Sequence, residues 1–174
     1  MRARPDVPFE PLPILECLAK HGVDFVVIGG YGAILQSAPF VTQDIDITPS
    51  RSAANLDRLS DALRDLDARV YTQGEPDGLP FDHTGPSLNQ SSVWNLVTKH
   101  GQLDISFIPN GTTGYDDLTR DAQYGTIHGV EVRVASLADI IRSKQAANRP
   151  KDQRVLPTLR EILASRNPRN RADG

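Results

Sequence analysis

Phe25-Val26-Val27-Ile28-Gly29-Gly30, then thirteen residues, then Asp44-Ile45-Asp46: the reading of this stretch decides the fold. The apolar run 25–28 is short and continuous, as in a buried strand. It breaks at two glycines, after which Tyr31-Gly32-Ala33-Ile34-Leu35-Gln36 can start a helix. Residues 41–48, VTQDIDIT, alternate strictly, with Val41, Gln43, Ile45 and Ile47 on one face and Thr42, Asp44, Asp46 and Thr48 on the other. Period two predicts a half-buried strand whose polar face carries both carboxylates.

Outward from there, Leu12–His21 suits a short amphipathic helix stopped by Gly22, and Ser52 caps a helix predicted to run to about Leu66. Val70-Tyr71-Thr72 reads as a strand, and 73–90, rich in Gly, Pro and Asp, as a long loop. Strands are predicted over 93–98 and 103–108, turning at His100-Gly101, and a hairpin over 126–134 around His128-Gly129. Tyr115–Leu118 reads as a short helix, Ser136 caps a helix over 137–147, and Pro150 opens a last one over 152–164. The class is α+β, a short mixed sheet with flanking helices. Residues 1–10 are Pro-rich and expected to be a flexible N-terminus, 11–165 to form one domain, and 166–174 to be a basic tail.

The chemistry starts with Asp44 and Asp46. Carboxylates at i and i+2 of a strand point the same way and repel each other, and aspartate is a poor strand former. A hard divalent cation such as Mg²⁺ removes the penalty and keeps coordination positions for substrate phosphates. Charge guarding an edge strand is the other explanation of such a pair. Gly29 and Gly30, between a strand and a helix, leave bare backbone N–H groups suited to a phosphate; a sharp turn alone would also use them. Asp104 lies in Leu103-Asp104-Ile105-Ser106-Phe107, opposite in facing to its apolar neighbours. If that strand pairs beside 41–48, Asp104 completes a carboxylate triad and stands as general base. His83, His100 and His128 sit in loops or turns at unrelated spacings and are assigned no metal, and Trp94 is assigned to the core.

Composition limits the alternatives. The 174 residues are 39% hydrophobic and 24% charged, with a net charge of -3, which is ordinary globular material for one domain. The charge is uneven: residues 131–174 hold ten Lys+Arg against five Asp+Glu, the remainder nine against seventeen. A basic end on an acidic body is suited to polyanions, or equally to a solvated helical face. Cys17 is the sole cysteine, which excludes an internal disulfide and a multi-cysteine metal site. No apolar run approaches the roughly 18 residues of a membrane span, no signal-peptide pattern opens the chain, and a cytoplasmic setting is expected.

Two glycines, thirteen residues, D-I-D and a third aspartate on a later strand resemble the nucleotidyltransferase superfamily of DNA polymerase β type. Leu137-Ala138-Asp139-Ile140-Ile141-Arg142-Ser143-Lys144, followed by Arg149-Pro150-Lys151-Asp152, resembles the AbiEii and MenT toxin group within it. The similarity spans roughly residues 22–163. It implies a minimal nucleotidyltransferase fold, with Asp44, Asp46 and Asp104 as metal ligands and Gly29, Gly30, Lys144, Lys151 and Asp152 around the nucleotide. Lys144 is a plain candidate for a triphosphate clamp, and Asp152 for holding a lysine in place. The resemblance further implies transfer of a nucleoside monophosphate from an NTP, CTP or UTP, to the 3′ end of tRNA. That would block aminoacylation and translation, the action of a toxin paired with a cognate antitoxin. It also marks Thr42, two residues before D-I-D, as a regulatory phosphorylation site. Rival readings are a small-molecule (aminoglycoside-like) nucleotidyltransferase, a protein-AMPylating antitoxin, and an inactive binding module.

Overall fold

The computed structural model describes residues 5–166. In chain order the elements are α1 (Pro11–Lys20), β1 (Phe25–Ile28), α2 (Gly29–Ile34), β2 (Asp44–Pro49), α3 (Ala53–Asp65), β3 (Arg69–Val70) and α4 (Gly85–Leu88). They continue with β4 (Val93–Thr98), β5 (Gly101–Ser106), α5 (Tyr115–Thr119), β6 (Gln123–Ile127), β7 (Val130–Val134), α6 (Leu137–Ala147) and α7 (Pro150–Ser165). One mixed sheet holds all seven strands in the order β3-β4-β5-β2-β1-β7-β6. The fold is α+β, with helices flanking a mixed sheet.

Three pairings place the site. β1 runs antiparallel to β2, with Ile28 opposite Asp46; β2 runs parallel to β5, with Asp46 opposite Asp104; and β5 runs antiparallel to β4, with Asp104 opposite Asn95. The condition set on the third carboxylate is therefore met.

Alternation along the strands divides the core. Val27, Ile45, Ile47, Leu103 and Ile105 join Ile14, Leu15 and Leu18 of α1 and Leu56, Leu59 and Leu63 of α3 in one cluster. Val26, one residue from Val27, joins the other cluster with Leu137, Ile140 and Ile141 of α6 and Leu156 and Leu159 of α7. One face of the sheet is thus sealed under α1 and α3, while α6 and α7 cover only part of the other.

Helix starts follow their caps: Ser52 Oγ accepts the Asn55 N–H at 3.3 Å and Ser136 Oγ accepts the Asp139 N–H at 3.1 Å. In the hairpin, His128 (φ 46°) and Gly129 (φ 84°) both adopt positive φ, the geometry a tight two-residue turn needs. Several elements differ from expectation. The β2 ladder starts at Asp44, not at 41, and Val41 is 93% exposed instead of sharing the inner face with Ile45. Here the Thr42 hydroxyl bonds locally to Asp44, a local alternative to a ladder pair. β3 has two residues, and β5 begins and ends two residues earlier than expected. The long loop contains α4, whose start is a capping box between Thr84 and Ser87. α2 begins at Gly29 itself, and α7 starts at Pro150 and carries Pro157 inside it.

Of the segment expected to be loose, Phe9 meets the Tyr31 ring edge-on at 6.2 Å, and the Glu10 N–H donates to the His100 carbonyl at 2.8 Å. Of the basic tail expected over 166–174, Arg166 caps α7 and the rest lies outside the described residues. No helix among the described residues is long and apolar enough to cross a membrane.

Candidate active site

On the open face of the sheet, β2 presents Asp44 and Asp46 and β5 presents Asp104, and one carboxylate oxygen from each lies within 4.8 Å of the others. All three residues are half-buried. They line a cleft of about 500 Å³ that also takes in Gly29, Gly30, Thr42, Lys144, Arg149 and Lys151.

Three like charges so close leave their mark on the middle one. Burial first, then the Asp44 and Asp104 carboxylates, push the Asp46 carboxyl up to about 8, against the pull of Lys151 and Lys144. A group held this way keeps its proton at neutral pH, and a cation entering beside it would favour the ionised form. The donor set is all oxygen, and the spacing lets the three converge on a common point, which fits Mg²⁺.

Gly29 follows directly from the β1–β2 register. Its φ is +66°, and a Cβ there would collide with the Asp46 carboxylate. Both facts demand glycine at this position. Gly30 is looser, since its Cβ would lie 3.5 Å from the Thr42 hydroxyl. That hydroxyl donates to Asp44 Oδ1 at 2.7 Å, so Thr42 stands directly against a triad carboxylate.

The opposite wall comes from α6 and α7. Lys144 Nζ is 3.5 Å from Asp152 Oδ1, and the side chains are 15% and 0% exposed. Asp152 also accepts from Arg149 Nε at 2.7 Å and from the Arg149 N–H at 3.2 Å. Burial opposes ionisation of Asp152, but the Arg149 bonds and Lys144 outweigh it and hold the carboxyl below the usual range. Asp152 therefore anchors Lys144 and Arg149 from behind the cleft wall, and Lys151, exposed, stands on the wall itself.

No family model matches the sequence, and no curated protein matches it by sequence. Solved structures do match in shape. A Thermotoga maritima protein, TM1012, assigned to the nucleotidyltransferases, aligns over 92% of this chain and 98% of its own with TM-score 0.51 and 19% identity. The lincosamide antibiotic adenylyltransferase LnuA, solved with lincomycin, aligns over 90% and 99% with TM-score 0.60 and 16% identity. The antibiotic-resistance factor ANT(2″)-Ia, solved with adenylyl-2″-tobramycin, aligns over 90% and 87% with TM-score 0.55 and 16% identity. The chain has the nucleotidyltransferase fold.

Within that fold, three features escaped the sequence reading. Arg149 lines the cleft and binds Asp152; its place beside Pro150 at the start of α7 was the available signal. Asn95 reaches the cleft because β4 pairs with β5, which no local pattern reveals. Cys17, His21 and Asp65, on the side away from the cleft, form a second group whose ligand atoms lie within 4.8 Å of one another. The one-turn spacing of Cys17 and His21 was visible beforehand. The histidine is paired with Asp65 at 2.6 Å, and the Cys17 thiol donates to the Ala62 carbonyl at 3.6 Å. Of the histidines assigned no metal, His83 is buried against the Ser60 hydroxyl at 2.7 Å. Trp94 is partly buried against the core, its Nε1–H donating to the Leu88 carbonyl at 2.9 Å.

Proposed function

We propose that the protein is a Mg²⁺-dependent nucleotidyltransferase that moves a nucleoside monophosphate from an NTP to an acceptor hydroxyl. One observation carries this reading: the convergence of Asp44, Asp46 and Asp104 beside Gly29 and across from Lys144 and Lys151 in a single cleft. Mg²⁺ held by the three carboxylates would supply charge neutralisation to the triphosphate and polarise the reacting oxygens. The chain's own residues do the positioning. Asp104 takes the acceptor's hydroxyl proton as the oxygen bonds to the α-phosphorus. The bond from that phosphorus to the bridging oxygen breaks, and its electron pair leaves with pyrophosphate. Lys144, held by Asp152, and Lys151 meet the charge on the departing phosphates. The backbone at Gly29 and Gly30 lets the triphosphate approach β2 closely.

For the acceptor, the resemblance to the AbiEii and MenT toxins points to the 3′ end of tRNA, with CTP or UTP as donor and a cognate antitoxin as partner, in the cytoplasm. The exposed Lys151, Arg154 and Arg160 along α7, with Arg166 at its C-terminal cap, suit a polyanion. In that setting Thr42 is the regulatory site: a phosphate on its hydroxyl would bring a charge of about -1.5 to -2 against Asp44. A small-molecule acceptor is favoured by a different observation, the alignment over nearly the whole of LnuA, an antibiotic adenylyltransferase. Purified protein incubated with Mg²⁺, each labelled NTP, and tRNA or antibiotic acceptors tests both. Absence of label on any acceptor, with no binding of Mg–NTP, rejects the transferase reading.

A further inference from the structure

The cleft has a third wall, beyond Asp104 as seen from β2. Strand register sets Asn95 opposite Asp104 and Val93 opposite Ser106, so all four side chains face the cleft, and Ile108 follows at its rim. Six large hydrophobic side chains are exposed among the described residues, and three of them, Val41 at 93%, Val93 at 49% and Ile108 at 51%, line this one cleft. Apolar side chains scattered singly over a surface need no explanation, but a concentration at the mouth of a polar cleft marks a binding surface.

Charge sorts the walls. Every cation lining the cleft, Lys144, Arg149 and Lys151, belongs to α6–α7 or the turn between them, and the acidic lining residues are the triad and Asp139 of α6. Beyond Asp104 the lining residues of β4 and the 105–110 segment include an amide, a hydroxyl and branched aliphatics, and none is charged. Polyanion recognition there would call for Lys or Arg, and polycation recognition for added carboxylates.

We infer that the cleft wall formed by Val93, Asn95, Ser106 and Ile108 is the acceptor subsite, and that it takes a hydroxyl-bearing small molecule of low charge with an apolar face. The inference rests on the transferase reading and deepens it, choosing between its two acceptors. The apolar face lies on Val93 and Ile108, while the Asn95 amide and Ser106 hydroxyl orient the acceptor's hydroxyls toward Asp104. Affinity at such a wall comes from burial and a few oriented polar contacts, so it responds weakly to salt.

The test uses the full chain with Mg²⁺ and labelled NTPs against three classes of acceptor. These are a low-charge panel of phenyl and octyl glycosides and lincomycin, the polycation tobramycin, and tRNA. Mg–NTP binding is measured separately by calorimetry. The expected result is transfer to a member of the low-charge panel, little affected by added salt. Ile108→Lys and Ile108→Glu should both raise the KM for that acceptor, by roughly tenfold or more, because either charge spoils an apolar contact. Mg–NTP affinity should stay within about twofold, since neither change touches the triphosphate wall. Transfer to tobramycin or tRNA alone overturns the inference. So does transfer to none of the three classes while Mg–NTP still binds, or opposite shifts of KM in the two Ile108 variants. Failure to bind Mg–NTP removes the transferase reading and the inference together.

Discussion

Along β2, Ile45 and Ile47 enter the core shared with α1 and α3, while Asp44 and Asp46, one residue away in each case, face the cleft. The two faces of the same strand thus do opposite things. On β2 the sealed face is hydrocarbon, with Ile45 and Ile47 fully buried. The open face gathers three carboxylates that repel one another, a cost that a protein built for stability alone would avoid. The lesson is that instability is concentrated where chemistry is proposed, and it rests on a face that supplies the stability.

The strongest way to break this contrast is to neutralise one carboxylate. Asp44→Asn or Asp46→Asn should abolish transfer in a Mg²⁺–NTP assay, yet leave the melting temperature of the metal-free protein unchanged or higher, because repulsion is relieved. Persistent activity in either variant would remove the metal-site proposal. An added charge should act as severely: Thr42→Glu is expected to abolish the proposed transfer without unfolding the protein, since Thr42 Oγ1 sits 2.7 Å from Asp44 Oδ1. Activity assays alongside circular dichroism check this, and wild-type turnover in a phosphorylated Thr42 species would refute the regulatory idea.

Truncations on the two sides should diverge in kind. Leu59→Ala, in α3 on the sealed face, should cost about 2–5 kcal/mol of folding stability in denaturant titrations. Lys144→Ala, on the open face, should cost about 2–4 kcal/mol of transition-state stabilisation, read as kcat/KM for NTP. A Lys144→Ala variant equal to wild type at limiting NTP would assign this lysine a purely structural contact with Asp152.

A subtler difference lies in pH. Because the folded state holds the Asp46 proton from 3.8 to about 8, where the unfolded chain releases it, metal-free stability should fall as pH rises through that window and level off above it. Saturating Mg²⁺ should flatten the slope by favouring the ionised carboxylate, and Asp46→Asn should remove it. Thermal melts with and without a chelator would reveal a slope that survives in Asp46→Asn, and such a slope would belong to another group. The smallest effect is expected from Thr42→Ala, which loses one hydrogen bond to Asp44 and should keep at least partial activity.

Much of this was legible in the chain because it depends on neighbours in sequence. The run 25–28 ending in glycines, the alternation Asp44-Ile45-Asp46-Ile47, and the caps at Ser52 and Ser136 are local patterns, and each appears in the structure where a local rule puts it. The reach of β2 was misjudged at Val41 because alternation says nothing of where a pairing partner ends. α4 was missed because a four-residue helix lies below the length at which apolar periodicity can register.

What only the tertiary structure decided are the relations between distant segments. Asp104 joins Asp46 because β5 lies parallel to β2, Asn95 joins them because β4 folds back on β5, and Lys144 is steadied by Asp152 because α6 and α7 pack together. The sequence by itself determined which side chains share a face of each element, since the backbone period sets that within a few residues. Which faces meet depends on how the whole apolar surface is buried at once, and that energy belongs to no single segment.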